Sequence, residues 1–316
     1  MSSAHLSNPR QASAWAWTRR WAWASLIAQM LIVVTGAFVR VTASGLGCPT
    51  WPECMPGSYT PVTVPETVYH AWVEFGNRLL TFAVAVTAIG ALTSYIVARR
   101  RQALPQGFAI SPIAALLAAS ALIGTAAQAV VGGISVLTGL SPTWVAAHFL
   151  LSAVILIAQT RYVAIFQLIP QEGINEQQGW IARRTLLPVT MCVSAGITVV
   201  LGTVVTGSGP HAGDINVTDR FPLDPRIATM IHSIAAAVLV GTTAFAFLKR
   251  AQIPVMLRRS ANALIILQCC QGLLGFAQYQ AGLPPLMVVA HVALAVSIWV
   301  GCLRFAWLWR ALSVSD

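Results

Sequence analysis

Eight apolar runs, each close to the length that crosses a hydrocarbon layer, constrain this chain more than any other feature. They fall at roughly 21–41, 70–97, 110–134, 142–168, 186–207, 226–248, 260–281 and 285–308. About 20 apolar residues span a ~30 Å hydrocarbon core as a helix, and a helix satisfies its own backbone there. Of the 316 residues, 57% are hydrophobic and only 9% charged, against about 25% charged in ordinary soluble chains. The expected fold is an all-α integral membrane protein, multi-pass, with the lipid bilayer as its solvent. No soluble domain is expected. Nor is a cleavable signal peptide, because Met1 to Trp17 is polar and Trp-bearing rather than a short apolar core.

A net charge of +10 raises the question of nucleic acid, and its placement answers it. With the N-terminus in the cytoplasm, the inner side holds Arg10, Arg19, Arg20, Arg99, Arg100, Arg101, Arg161, Arg183, Arg184, Lys249, Arg250, Arg258, Arg259, Arg304 and Arg310. The outer side keeps Arg40, Arg78, Arg220 and Arg226. This is the positive-inside asymmetry. It predicts a plasma-membrane protein with both termini cytoplasmic, and no nucleic-acid partner. Trp15, Trp17, Trp21 and Trp23 suit the inner interface.

The chain also contains one stretch twice. Gln128 to His148 and Gln271 to His291 each carry a Gln, a Gly four residues on, a Gly/Pro turn and a His twenty residues after the Gln. Val33-Val34-x-Gly36 in the first span matches Val199-Val200-x-Gly202 in the fifth, so the duplication starts at span 1. Four helices per half, both beginning inside, make parallel repeats related by an axis along the membrane normal. The expected architecture is two pseudo-symmetric four-helix bundles, residues 1–169 and 170–316. The polar connection Pro170 to Gly179 marks their junction.

The first outer loop reads GLGCPTWPECMPGSY. Cys48 and Cys54 lie there on the side where disulfides persist, and a bond between them would clip a short loop over the bundle. Free or metal-binding cysteines are the alternative. Cys192, Cys269, Cys270 and Cys302 fall inside apolar spans and read as inert core residues.

Span 2 begins HAWVEFGNRLLTF. His70, Glu74 and Asn77 recur at i, i+4 and i+7, so they share a helix face, with Arg78 beside it. A carboxylate one turn into a span is costly unless it meets a partner, water or the bundle interior. Its plain reading is an i, i+4 pair with Arg78; its functional reading is a site carboxylate. Span 6, laid over span 2, puts His232 on Asn77 and Thr229 on Glu74. His211, Asp214, Asp219 and Asp224, in the polar loop before span 6, read as solvated, and His5 as uninformative.

His232 and His291, from the second and fourth helices of one bundle, suit axial ligation of a haem iron between facing helices. Gly202, Gly272 and Gly275 would leave room for the porphyrin plane. Zinc is the weaker alternative, because no third ligand stands at an obvious spacing. The plain alternative is that each His bonds a helix carbonyl. The first half keeps His148 in the place of His291 but has Asn77 opposite it. One half therefore reads as a filled redox site and the other as a site for something exchangeable.

These residues resemble the haem A synthase family, membrane enzymes that oxidise haem O to haem A. The resemblance rests on the cysteine pair, VEFGNRLL on span 2, His148, His232, His291 and the duplicated eight-helix layout. It implies a haem B in the C-terminal bundle on His232 and His291, and a haem O substrate site in the N-terminal bundle using Glu74 and His148. The reaction it implies is two successive hydroxylations of the C8 methyl, with loss of water to give the formyl group. Its implied catalytic carboxylate is Glu74. Arg78, with Arg40, Arg220 and Arg226, is a candidate for haem propionates. Candidate partners are an electron donor and the membrane enzyme that makes haem O, and an oligomer is compatible with the layout. The family pattern on span 2 is commonly Glu-x-x-His-Arg, whereas here it is Glu74-x-x-Asn77-Arg78. His148 is then expected as the sole protein ligand of the substrate haem, with His70 as the alternative second ligand.

Two other classes compete. A di-haem b-type electron-transfer protein oxidising a quinol would use His pairs in both halves, which Asn77 opposes. A transporter built from repeats usually shows helices broken at mid-membrane, whereas the polar groups here cluster at the outer ends.

Overall fold

A computed structural model describes residues 8–62, 68–104, 112–166, 186–249, 251 and 253–314. The expected junction between halves, at 169/170, lies outside these residues, as do His5, Arg183, Arg184 and Arg250. The described residues form eight long helices: α1 (Pro9–Val41), α2 (Val68–Arg100), α3 (Pro112–Leu137), α4 (Pro142–Ile165), α5 (Leu186–Ser208), α6 (Pro225–Leu248), α7 (Val255–Gln280) and α8 (Pro285–Val314). All eight are long and apolar enough to cross a membrane, and the protein is a multi-pass, all-α membrane protein. Proline opens several helices, where its fixed φ is pre-organised and no N–H is missed. At α6, Asp224 adds a cap, its Oδ1 accepting from the backbone N–H of Arg226 at 2.7 Å.

α1 starts well before residue 21. Asn8 caps it, and its first turns are one-sided: Ala14, Trp15 and Thr18 are buried while Arg10, Arg19 and Arg20 are exposed. The Trp15 ring stands 4.9 Å from that of Phe166, and the Thr18 hydroxyl donates to the Ser94 carbonyl at 3.0 Å. Tertiary contacts thus extend the helix into a stretch that is polar only on its outward face.

Packing gives two rings. In the first, α1 touches α2, α2 touches α3, α3 touches α4 and α4 returns to α1; α5, α6, α7 and α8 close in the same order. The rings meet through α1 on α8, α4 on α5, and α4 on α8. Exchanging the halves turns the first of these contacts into the second and the third into itself. This is the signature of a pseudo-twofold axis running between α4 and α8. A small apolar cleft on that axis is lined by repeat-related pairs, Val33 with Val199 and Ser152 with Ala295. The Trp299 indole N–H crosses the junction to the Ala153 carbonyl at 3.0 Å.

The repeat extends to backbone detail. The α3–α4 turn places Gly139 and Leu140 at φ 63° and 59°, and the α7–α8 turn places Gly282 and Leu283 at 74° and 62°. In each, the leucine N–H reaches back five residues, to Ser135 or Gln278, closing the helix end. A leucine at positive φ costs about 1–3 kcal/mol. Leu140 recovers a comparable amount by burial, worth about 1.5–3 kcal/mol, because its methyls plug the space between Gly45 and Gly213. The Gly45 N–H donates to the Gly213 carbonyl at 2.7 Å. The loops at this end, one of which carries Cys48 and Cys54, therefore form one continuous cap.

Candidate functional site

The C-terminal bundle carries His232 on α6 and His291 on α8, the second and fourth helices of its ring. His232 Nδ1 donates to the Thr198 carbonyl of α5 at 3.1 Å, which leaves Nε2 with its lone pair. An imidazole that ligates a metal is usually held this way through its other nitrogen. His291 has a buried Nδ1 with no hydrogen-bond partner among the described residues. Gln271 of α7 donates to the His291 backbone carbonyl at 3.1 Å. A Cβ at Gly275 would stand 3.1 Å from His291 Cε1, and one at Gly202 would stand 3.3 Å from His232 Cε1. These two glycines let their helices approach the rings; Gly272, grouped with them from the sequence, has open space around it. One imidazole with its tautomer set by a backbone carbonyl, and another with a buried, unpartnered nitrogen, are donors of the kind a haem iron takes.

The N-terminal bundle repeats half of this. Gln128 of α3 donates to the His148 carbonyl at 3.1 Å, and a Cβ at Gly132 would stand 2.7 Å from His148 Cε1. His148 Nδ1 is buried with no partner among the described residues. Gln128 also donates to the Ser152 hydroxyl at 2.6 Å, where the other half has Ala295. Opposite, on α2, the Asn77 Oδ1 is buried and likewise has no partner among the described residues.

Glu74 lies one turn outward of Asn77, and the guanidinium of Arg78 reaches out to it and to the first loop. Glu74 is 6% exposed. Its Oε1 accepts from Arg78 at 2.6 Å, and its Oε2 accepts from the Cys48 backbone N–H at 2.7 Å. Arg78 spends all five N–H groups within the protein. Nε and one NH2 proton go to Glu74, NH1 goes to the Thr50 and Glu53 carbonyls, and NH2 also reaches the Cys48 carbonyl. A propionate would have to displace one of these acceptors. The pair therefore clamps the first outer loop, whose Cys48 and Cys54 are disulfide-bonded with a Cα–Cα distance of 4.3 Å. Both cysteines are buried. The clamped loop lays the Trp51 ring on Gly133 of α3, adjacent in sequence to the glycine under His148; a Cβ at Gly133 would stand 2.6 Å from that ring.

His70 sits at the loop end of α2. Its Nδ1 is 3.0 Å from the Ser44 hydroxyl, and its carbonyl packs tightly against Gly47. His211, read from the sequence as merely solvated, is half-buried, and its Nε2 donates to the Leu283 carbonyl at 2.9 Å. It ties the α5–α6 loop to the α7–α8 turn. Arg40 donates to the His211 and Thr206 carbonyls, and Arg220 to those of Gly209, Pro210, Val217 and Asp219. Both stitch the cap together. Of the four other cysteines, Cys302 is buried but Cys269 and Cys270 are exposed on the bundle surface, because their positions on α7 turn outward rather than into the core. Thr198, Trp51 and Ser44 could not be found from the sequence: they act through a backbone carbonyl, a ring face and a loop hydroxyl, and no motif marks any of them.

The family model for the COX15-CtaA cytochrome oxidase assembly proteins matches residues 19–302. A heme A synthase of Geobacillus thermodenitrificans is 32% identical over 120 residues, 37% of this chain and 32% of that protein. One of Geobacillus kaustophilus is 33% identical over 122 residues, 37% of this chain and 33% of its own length. One of Lysinibacillus sphaericus is 43% identical over 56 residues, 18% of this chain and 17% of its own. The chain thus spans about a third or less of the length of the curated relatives it matches. With the family model covering nearly all of the eight-helix core, the chain belongs to the COX15-CtaA family of cytochrome oxidase assembly proteins, the haem A synthase family that its sequence resembles.

Proposed function

We propose that this protein is a haem A synthase, with a substrate half at residues 1–169 and a haem B half at 170–316. It lies in the plasma membrane with both termini cytoplasmic. The observation that carries the reading is the unequal repeat: His148 and His291 stand in like cradles, but the second helix of one bundle carries His232 where that of the other carries Asn77, with Glu74 one turn away. His232 and His291 would hold haem B, which supplies one-electron redox chemistry when bound. His148 would hold haem O as substrate. Each of two hydroxylations of the substrate's C8 methyl would consume one dioxygen, two protons and two electrons from an external donor and release one water, and the resulting geminal diol would lose water to give the formyl group.

The chain's own residues do the positioning. Gln128 and Gln271 lock the backbone of each α4- or α8-type helix to its neighbour, which holds the imidazole in register. Thr198 keeps the Nδ1 proton of His232 engaged. The disulfide loop, held down by Glu74 and Arg78, puts Trp51 over the outer end of the substrate half and excludes water there. Glu74 is the carboxylate we assign to proton handling at that site. Its Oε2 accepts from the Cys48 N–H, and a carboxylate oxygen has a second lone pair to offer.

The test is to purify the protein from membranes of cells that also make haem O, extract the haems and separate them by chromatography. Haem B together with haem O or A, with haem A lost in Glu74→Gln, supports the enzyme. Haem B alone, unchanged by supplied haem O, would favour a di-haem electron-transfer protein. Absence of any haem would defeat both.

A further inference from the structure

The two bundles differ most pointedly at a single repeat position, Asn77 against His232. The Asn77 Oδ1 is buried with no partner among the described residues. Leaving a buried acceptor unpaired costs about 1–3 kcal/mol, so the position points to a donor that arrives with a ligand. Across the bundle, His148 retains everything that supports His291: the glutamine clamp on its carbonyl, the glycine against its ring, and an orphaned ring nitrogen. The N-terminal half therefore has the fourth-helix imidazole and its fittings but not the second-helix imidazole. An amide oxygen is a poor substitute, since imidazole suits iron and carbonyl oxygen suits harder cations.

His70 does not fill the gap. It stands seven residues before Asn77, about 10 Å up the helix at 1.5 Å per residue. It is held there by the Ser44 hydroxyl and by Gly47 against its carbonyl.

Resting on the two-haem reading above, we propose that the haem of the N-terminal half has His148 as its one protein ligand. Asn77 faces the open axial position and hydrogen-bonds a small exchangeable ligand there, water in the resting protein. Asn77 is thus the residue that makes this half reactive towards small ligands, while His232 makes the other half coordinatively closed.

The test is spectroscopic and needs no turnover. Wild-type protein loaded with haem O is oxidised for electron paramagnetic resonance, then reduced and titrated with carbon monoxide. The expected result is one low-spin and one high-spin haem, with carbon monoxide binding at one of the two. In Asn77→His the high-spin signal converts to low-spin and carbon monoxide binding is lost. In Asn77→Leu binding remains but the C–O stretching band shifts, because the polar group beside the ligand is gone. His70→Ala leaves the spectra unchanged. Two low-spin haems in the wild type with no carbon monoxide binding would overturn the inference while leaving the two-haem reading intact. An unshifted C–O band in Asn77→Leu would overturn the role given to Asn77, and a low-spin signal abolished by His70→Ala would overturn the single-ligand assignment. Failure of the protein to take up a second haem from supplied haem O would instead overturn the reading on which the inference rests.

Discussion

The N-terminal and C-terminal bundles hold the histidine of their last helix alike and differ in what their second helix offers it. In both, a glutamine on the third helix bonds the histidine carbonyl and a glycine one turn later admits the ring. On the second helix, the C-terminal bundle has Thr229, His232 and Ser233; the N-terminal bundle has Glu74, Asn77 and Arg78. One bundle has an imidazole backed by a carbonyl; the other has an amide beneath a buried ion pair that grips a loop. The two halves share the support for one histidine and differ on the opposing face. A repeat therefore informs most where it fails.

The largest expected effect falls on the C-terminal pair. His232→Ala or His291→Ala should remove haem B from the purified protein, whereas His148→Ala should leave it in place; a pyridine haemochrome assay reads the difference. Equal losses from all three variants would show that the halves do not bind haem separately.

Next comes the clamp. Removing one partner of a buried ion pair costs about 3–5 kcal/mol, so Arg78→Ala should lower stability by that order. At the matching position, Ser233→Ala should stay within about 0.5 kcal/mol, as substitutions away from buried networks do. Denaturant unfolding in detergent compares the two, and similar losses would deny the N-terminal clamp its special role. Glu74→Gln keeps an acceptor for the Cys48 N–H but drops the charge. It should retain more stability than Glu74→Ala and yet lose haem A formation; full activity in Glu74→Gln would reduce Glu74 to a loop anchor.

Smaller effects grade the two cradles. A Cβ at Gly132 comes within 2.7 Å of His148, but one at Gly275 comes only within 3.1 Å of His291. Overpacking costs about 1–3 kcal/mol, and Gly132→Ala should fall nearer the upper end and Gly275→Ala nearer the lower. Gln128→Ala and Gln271→Ala should each cost about 0.6 kcal/mol, the usual worth of an interhelical hydrogen bond in a membrane protein. The loss should be somewhat greater for Gln128, which also bonds Ser152. Identical values for the two glutamines would mean that Ser152 contributes nothing.

Much of this protein was determined by its sequence alone. Eight helices follow from run lengths, because hydrocarbon leaves the backbone no other economical partner. The duplication follows from offsets, and with it the equivalence of His148 with His291 and of Asn77 with His232. Cys48 and Cys54, six residues apart in one outer loop, pointed to a disulfide with free or metal-binding thiols as the alternative, and the structure shows the bond. Only the tertiary structure decided the rest. It extended α1 back to Pro9 through Trp15 and Phe166, turned His211 from a solvated residue into a tie between loops, and faced Cys269 and Cys270 outward. It also showed that Glu74 and Arg78 form a pair that holds the loop carrying Trp51. Those outcomes depend on backbone carbonyls, ring faces and helix rotation, set by where distant segments come to rest. Helical periodicity and residue type record which face is apolar, but carry no record of which carbonyl an arginine will find across a loop.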